Sequence, residues 1–302
     1  MALNSVRVGV LGNPDGFYIQ DLQRAAQGIC SLVPLAFESL GAGLEGRLWQ
    51  GWDLGESNLQ SLDALIVRTM PWGSLEQIIF RIDWLHALEA TGVPVVNSAS
   101  SLEVAIDKFR TLSLLQNAGL PIPRTVACQT FAQAMDVFEQ WGEVAVVKPM
   151  FGGEGRGIMR LENVDLAVRA FKTLTQLHSV IYLQEYITHP GFDIRVLVMG
   201  EKTWAIRRTH PSDWRTNLSR GAIAEAIRPD PEWLRLATQA AEVVGATVAG
   251  VDLLLDDAKQ PWIIEVNAVP GWKGLAETLK VDIAHDPVSY THLRAHETRE
   301  DL

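Results

Sequence analysis

Apolar residues in the first third of the chain fall into short runs, VRVGVLG, LDALIVRT and VPVVN, with the helix-period stretch SLEQIIFRIDWLHALEATG between the second and third. Short apolar runs alternating with helices predict an open α/β layer. A further helix is predicted from about Ser98 to Ala118, capped by Ser98 or Ser100 and closed by Gly119 ahead of a PIP turn. Beyond it TVAC and EVAVVKP read as strands around the helix FAQAMDVFEQW, followed by a glycine-dense loop and the strand GIMRLEN. VIYLQEYI, DIRVLVMG and KTWAIRRTH continue as strands, PEWLRLATQAAEVVG as a helix, and GVDLLLDDAKQPWIIEVN as two strands around a polar turn.

From His285 the pattern breaks. DPVSYTHLRAHETREDL offers no apolar face on which a terminal helix could pack, and it resembles translated adapter sequence at the end of an assembled reading frame. Residues 285–302 are therefore expected to be a disordered, non-native tail, and the i,i+4 pair His292 and His296 within it is not read as a metal site.

At 302 residues the chain has room for about two lobes. Hydrophobic residues at 47% and charged residues at 21% suit a globular protein, and no apolar run approaches the roughly 18 residues of a membrane span. The start, MALNSVRVGVLG, reads as a first strand rather than a signal peptide, which places the protein in the cytoplasm. Cys30 and Cys128 belong to no CxxC or Cys/His cluster and are expected to be buried thiols. A net charge of −10 disfavours a nucleic-acid or membrane surface, so any bound anion must be held by a few local cations.

Several positions carry chemistry. Gly152, Gly153, Gly155 and Gly157 would let backbone N–H groups approach an oxyanion, although a bare hairpin tip would look the same. The loop joins strand to strand and matches neither the dinucleotide nor the Walker pattern. Lys148 ends an apolar strand just before this loop, where a buried cation needs an anion, and Lys108 could supply a second charge. In WIIEVN, Glu265 and Asn267 share a strand face, and a hairpin centred between Ala258 and Lys259 puts Asp252 opposite Glu265. Two facing carboxylates and a carboxamide suit a hard dication; a structural Asp and Glu pairing with Arg is the competing reading. Gln184, Glu185, Tyr186 and Ile187 could read an adenine edge. Asp193 and Arg195 share a face, and Arg207, Arg208, Arg215 and Arg220 cluster as either an anion site or a solvated basic face.

In order, Asp107-Lys108, VVKP with GGEGRG, QEYI, DIRVLVMG, RRTHPSDWRTNLSRGA, GVDLLL and EVNAVPG resemble the ATP-grasp superfamily, in its RimK-like glutamate-ligase branch. The resemblance runs from about residue 60 to 284. It implies a Rossmann-like N-terminal α/β domain (1–98), a central ATP-grasp subdomain with the glycine flap (99–182) and a C-terminal ATP-grasp subdomain with the metal site (183–284). By resemblance Lys108, Lys148 and the flap contact ATP phosphates, and Glu185, Tyr186 and Ile187 hold the adenine and ribose side. Asp193, Arg215, Thr216 and Asn217 complete the nucleotide site. Asp252, Glu265 and Asn267 bind Mg²⁺, or Mn²⁺ in its place, and Arg207 and Arg220 stabilise the transferred phosphate. The implied reaction joins an amino acid, L-glutamate, to a carboxylate acceptor through an acyl phosphate, in a homo-oligomer. PGWKGL and MPWGSLEQIIFRIDWLH look most like the ligases of tetrahydromethanopterin biosynthesis. Alternatives are a glutathione-synthetase-like or amino-acid-carrier ligase, or an ATP-binding regulatory module without turnover.

Overall fold

The computed structural model describes residues 6–46, 48–53, 59–153 and 155–300. The first layer is β1 (Arg7–Leu11), α1 (Phe17–Ala25), β2 (Ser31–Leu35), the hairpin β3 (Gly41–Glu45) and β4 (Leu48–Trp52), β5 (Ala64–Val67), α2 (Leu75–Ala90) and β6 (Val95–Val96). Its main sheet is parallel in the order β2-β1-β5-β6. Both faces are covered: Val8, Val10, Ala64 and Ile66 are buried on one and Leu11, Leu65 and Val67 on the other, as parallel strands require. Ser74 and Gln77 close a capping box at the start of α2. The β3–β4 hairpin was not predicted, because its strands are glycine-broken and lack a clean period-2 alternation.

The helix predicted over 98–118 is two helices, α3 (Ala99–Ile106) and α4 (Lys108–Asn117), entered from Ser98 as expected. Asp107 breaks it: its backbone is extended and its carboxylate accepts from the N–H groups of Phe109 and Arg110. A side chain that bonds nearby N–H groups competes with the helix ladder. The break makes Lys108 the first residue of a new helix.

The middle layer comprises β7 (Thr125–Cys128), α5 (Phe131–Gln140), β8 (Ala145–Lys148), β9 (Met159–Leu161), α6 (Val164–Gln176) and β10 (Ile181–Glu185), with sheet order β7-β10-β8-β9. Phe138 and Phe171 meet edge-to-face, 6.2 Å apart, between its two helices. Strand β10 runs through the expected boundary at 182/183 and ends at Glu185.

The last layer is β11 (Phe192–Met199), β12 (Lys202–Thr209), β13 (Ile223–Ala226), α7 (Pro231–Val244), β14 (Val248–Leu255), β15 (Pro261–Asn267), α8 (Lys273–Leu279) and α9 (His285–Glu300). Its sheet is antiparallel in the order β13-β12-β11-β14-β15. Ile194, Val196, Val198, Val251 and Leu253 join the core under α7; on the opposite face Leu197, Met199 and Ile206 pack in a second core with Trp272 and Leu275, and the stretch bearing Asp193 and Arg195 is left to line a cleft.

The expectation of a disordered tail is corrected. Residues 285–300 form α9, which packs on β5 and α1, burying Val288, Thr291 and Ala295. These recur at helical spacing as a narrow stripe of small residues, enough to pack closely but too weak to register as an apolar face. Of the His292/His296 pair, the His296 side chain lies outside the described residues.

One side chain ties the first layer to the last. Asn97, 2% exposed, donates to the carbonyls of Val248 and Ala268 and accepts from the Val248 N–H. Asn97→Ala orphans three buried backbone groups, each costing about 1–3 kcal/mol when left unpaired. The variant is expected to shift its urea midpoint clearly downward; an unchanged midpoint would show that water replaces the amide.

Candidate active site

The uncovered part of the last sheet meets the middle sheet across a cleft of about 640 Å³. Strands β11, β12, β14 and β15 place Asp193, Arg195, Arg208, Asp252 and Glu265 on that face through their register: Asp193 opposite Arg208, Arg195 opposite Asp252, and Asp252 opposite Glu265. The last pairing is the one expected, reached by a different route. Near the turn Leu253 pairs with Ile263, and a bulge between the two registers restores the pairing at Asp252. The extra residue, Ile264, borders the cleft beside Glu265, so two consecutive side chains reach it.

A buried ion network sits on the strands. Arg208 Nε and Nη2 bond the Asp193 carboxylate at 2.8 and 2.5 Å, and Nη2 lies 2.9 Å from Asp252 Oδ1. Arg195 Nη1 reaches the same Oδ1 at 2.7 Å. A Cβ on Gly250 would lie 2.5 Å from the Arg195 guanidinium, so glycine there makes the room the cation occupies. Burial pushes the Asp252 carboxyl up, but Arg195 and Arg208 outweigh it and hold it below its ordinary value. For Asp193, burial wins and its carboxyl is raised despite Arg208. Thus Asp252 is held by Arg, as the competing reading had it, while still facing Glu265.

Opposite stands Lys148, at the end of β8. Its Nζ donates to the neutral Gln184 amide at 2.6 Å. Burial pushes this ammonium down to about 8, against the pull of Glu265 and Asp252 and with a further push from Lys108. Lys108 Nζ lies 3.9 Å from Glu265 Oε1 and donates to the Gly152 carbonyl in the flap. Gly152, Gly155 and Gly157 all have positive φ, while Gly153 does not. A Cβ on Gly155 would fall 2.3 Å from Asn217 Oδ1, so the flap rests on the loop after β12. From that loop Arg215 reaches the Ile158 carbonyl at 3.3 Å, and its side chain holds the Asp213 carboxyl well below the usual carboxylate range.

The remaining predicted residues divide. Tyr186, Ile187, Thr216 and Asn217 border the cleft. Glu185 does too, but its carboxylate is held by Arg124 Nε and Nη2 at 2.9 and 2.8 Å and its N–H donates to the Arg124 carbonyl. Asn267 Oδ1 accepts from the Val269 N–H at 2.8 Å. Arg220 stays on the flap side, 3.5 Å from Asp213. The placement of Arg207 is corrected: it pairs with Ile194 in the ladder, so it points to the far face and bonds Glu225. Arg208 occupies the inner place. A one-residue step reverses the face, and the basic run RR gave no means of choosing. Trp214 and His189 also border the cleft and were missed; they lie in irregular segments without periodicity.

A model of the RimK-like ATP-grasp domain matches residues 105–290. The chain belongs to the RimK-like ATP-grasp family. The tetrahydromethanopterin:alpha-L-glutamate ligase of Methanosarcina acetivorans is 34% identical over 265 residues, covering 78% of this chain and 82% of that one. The probable alpha-L-glutamate ligase of Aeromonas salmonicida is 32% identical, covering 78% and 79%. Among solved structures, the ATP-grasp ligase PsnB complexed with minimal precursor superposes with a TM-score of 0.76 at 22% identity, covering 97% of this chain and all of that one. PsnB complexed with minimal precursor, Mg and ADP gives 0.73. These likenesses make the chain an ATP-grasp ligase with an α/β fold.

The site's donors suit what this family implies. Among the described residues no three His, Cys, Asp or Glu side chains cluster as a metal site. Two facing carboxylates alone suit Mg²⁺, which keeps most of its octahedral shell for phosphate oxygens and water. Lys148 gives a test. Because the unfolded chain keeps the ordinary Lys value of 10.5, the folded protein binds fewer protons between about 8 and 10.5, so this group makes the free protein more stable as pH rises through that window. A phosphate would draw the proton back. ATP binding at pH 8 to 9 is therefore expected to take up protons and to weaken as pH rises; a calorimetric enthalpy identical in buffers of different ionisation enthalpy would remove Lys148 from the phosphate contacts.

Proposed function

We propose that this ligase uses ATP and Mg²⁺ to join L-glutamate to a carboxylate acceptor, a pterin-type cofactor or a protein C-terminus. The acceptor carboxylate attacks the γ-phosphate, releasing ADP and forming an acyl phosphate, and the glutamate amine then displaces phosphate to leave an amide. The observation that carries the reading is the Asp252–Glu265 pair facing Lys148 and Lys108 across one cleft. Asp252 and Glu265, with Asn267 alongside, would hold Mg²⁺, which neutralises developing charge on the phosphate oxygens when bound. Lys148 and Lys108 orient the phosphates, Tyr186, Ile187, Leu254 and Ile264 enclose the base, and the flap excludes water that would hydrolyse the acyl phosphate. Arg220, beside Asp213, and Arg208, bridging Asp193 and Asp252, would add positive charge that stabilises the transferred phosphoryl group.

The two glutamate-ligase relatives above support L-glutamate as the amine. The same reading includes a cytoplasmic location, consistent with no helix among the described residues being long and apolar enough to cross a membrane. It also includes a homo-oligomer, supported by the exposed apolar side chains Trp72, Leu75, Ile79 and Phe80. The test is phosphate release from ATP and Mg²⁺ with pools of amino acids and carboxylate acceptors, followed by mass spectrometry. Glutamate-dependent release with a product heavier by one glutamyl residue is expected. Tight ATP binding without release from any pool would favour a regulatory module.

A further inference from the structure

The first sheet has a topological switch point: from β1 the chain passes through α1 to β2 on one side, while β5 lies on the other. Loops leaving such a pair of strands diverge and open a crevice at their carboxyl ends, the usual ligand position in open α/β sheets. The loop after β1 leads into α1 through Gly16, which gives no side-chain cap. The N–H groups of Phe17 and Tyr18 have no acceptor among the described residues. A helix N-terminus with free N–H groups favours an anion.

A second, independent feature sits at the same place. Arg68, the first residue after β5, is 8% exposed, and no carboxylate pairs with it among the described residues. Its Nη2 donates to the Pro270 carbonyl at 2.7 Å, while its Nε is wholly buried and has no partner, which leaves the outer Nη edge as the side a ligand can reach. The guanidinium lies 5.0 Å from the Tyr18 ring centre in the first turn of α1 and 4.2 Å from that of Trp272. Asp21, the acid on the next turn, is engaged instead by Arg24 and by the Trp272 indole N–H. Lys273 adds a second cation, 5.0 Å over the Phe17 ring. The loop after β15 comes this close only because residue 271 is glycine: a Cβ there would fall 2.5 Å from the Tyr18 hydroxyl. Burial pushes the Arg68 guanidinium down to about 10, a cost that an anion would reverse.

We propose that Arg68 and the N-terminus of α1 form a carboxylate-binding subsite for the amino-acid co-substrate, holding a carboxylate that does not react. The subsite rests on the ligase reading. The acceptor carboxylate must reach the phosphate end of the cleft, beside Asp252 and Glu265, so a carboxylate held on the first lobe belongs to the amine donor. Pro270 follows Asn267 by three residues, so the loop that accepts from Arg68 leads directly from the metal-ligand strand. The outer Nη edge of the guanidinium orients a planar carboxylate and leaves the amine free to point toward the acyl phosphate.

The test is binding, which needs no turnover. L-glutamate, its α-amide and L-glutamine are titrated into the full chain with ADP and Mg²⁺ present, by calorimetry and by the guanidinium Nε–H region of a ¹H–¹⁵N spectrum. L-glutamate is expected to bind and to move the Arg68 Nε–H signal, and at least one of the two singly amidated compounds to bind about ten-fold more weakly or worse. Arg68→Lys should retain part of the affinity and Arg68→Met should lose it, with ADP affinity unchanged in both. Equal binding of all three compounds by the wild-type chain overturns the proposal without recourse to a variant. Undiminished glutamate affinity in a folded Arg68→Met overturns it as well. Absence of phosphate release alongside Arg68-dependent glutamate binding would overturn the ligase reading and leave the subsite standing.

Discussion

Glu265→Gln is expected to abolish Mg²⁺-dependent ATP turnover while the protein still folds. Glu265 is on the strand face opposite Asp252 and within 3.9 Å of Lys108, and its pairing partner is already bound by two arginines. It is therefore the carboxylate better able to turn to a dication. The amide keeps the shape and one acceptor oxygen but removes the negative charge, and loss of metal charge stabilisation at a transferring phosphoryl group is worth several kcal/mol, a fall of about 10² to 10³ in turnover. Phosphate release measured across a Mg²⁺ titration checks it. Turnover at the wild-type level with an unchanged Mg²⁺ dependence would take Glu265 out of the metal site.

Arg208→Met should destabilise the protein by about 3–5 kcal/mol, the cost of leaving buried carboxylates without their cation. Asp193 and Asp252 are both about 3% exposed, and Arg208 bridges them. Arg207→Met, one residue earlier, removes only a half-exposed pair with Glu225, which belongs to the class worth about 0–1 kcal/mol. Urea unfolding of the two variants therefore reads the strand register directly. Comparable losses in both would contradict the face assignment of β12. The size of the Arg208 effect also depends on pH: Asp252 is held below its ordinary value, so its contribution is present above the usual carboxylate range and fades as pH falls through its lowered value.

Much of this was legible beforehand because it is local. The strand–helix alternation of the first lobe, the entry of the helix at Ser98 and the WIIEVN strand follow from periodicity and capping, which act within a few residues. What failed were readings in which one residue decides. Asp107 turned one helix into two, by a carboxylate that bonded N–H groups two and three residues on. Between Arg207 and Arg208, composition is symmetric; only pairing with Asp193 separates them. The tail was misread for another reason: Val288, Thr291 and Ala295 carry little hydropathy, yet small side chains let a helix lie close on β5 and α1, so contact replaces hydrophobic strength.

By itself the sequence determined the α/β class, the glycine flap and the lysines at Lys108 and Lys148, since strand period and turn chemistry are properties of contiguous residues, whereas the facing of Asp252 and Glu265 also needed the bulge at Ile264. Only the tertiary structure decided which charges neutralise one another. Arg195 and Arg208 on Asp252, Arg124 on Glu185 and the carboxylate-free Arg68 against Tyr18 and Trp272 all join residues far apart in the chain. Ion pairing depends on distance and burial in space, and neither is encoded by spacing along the chain.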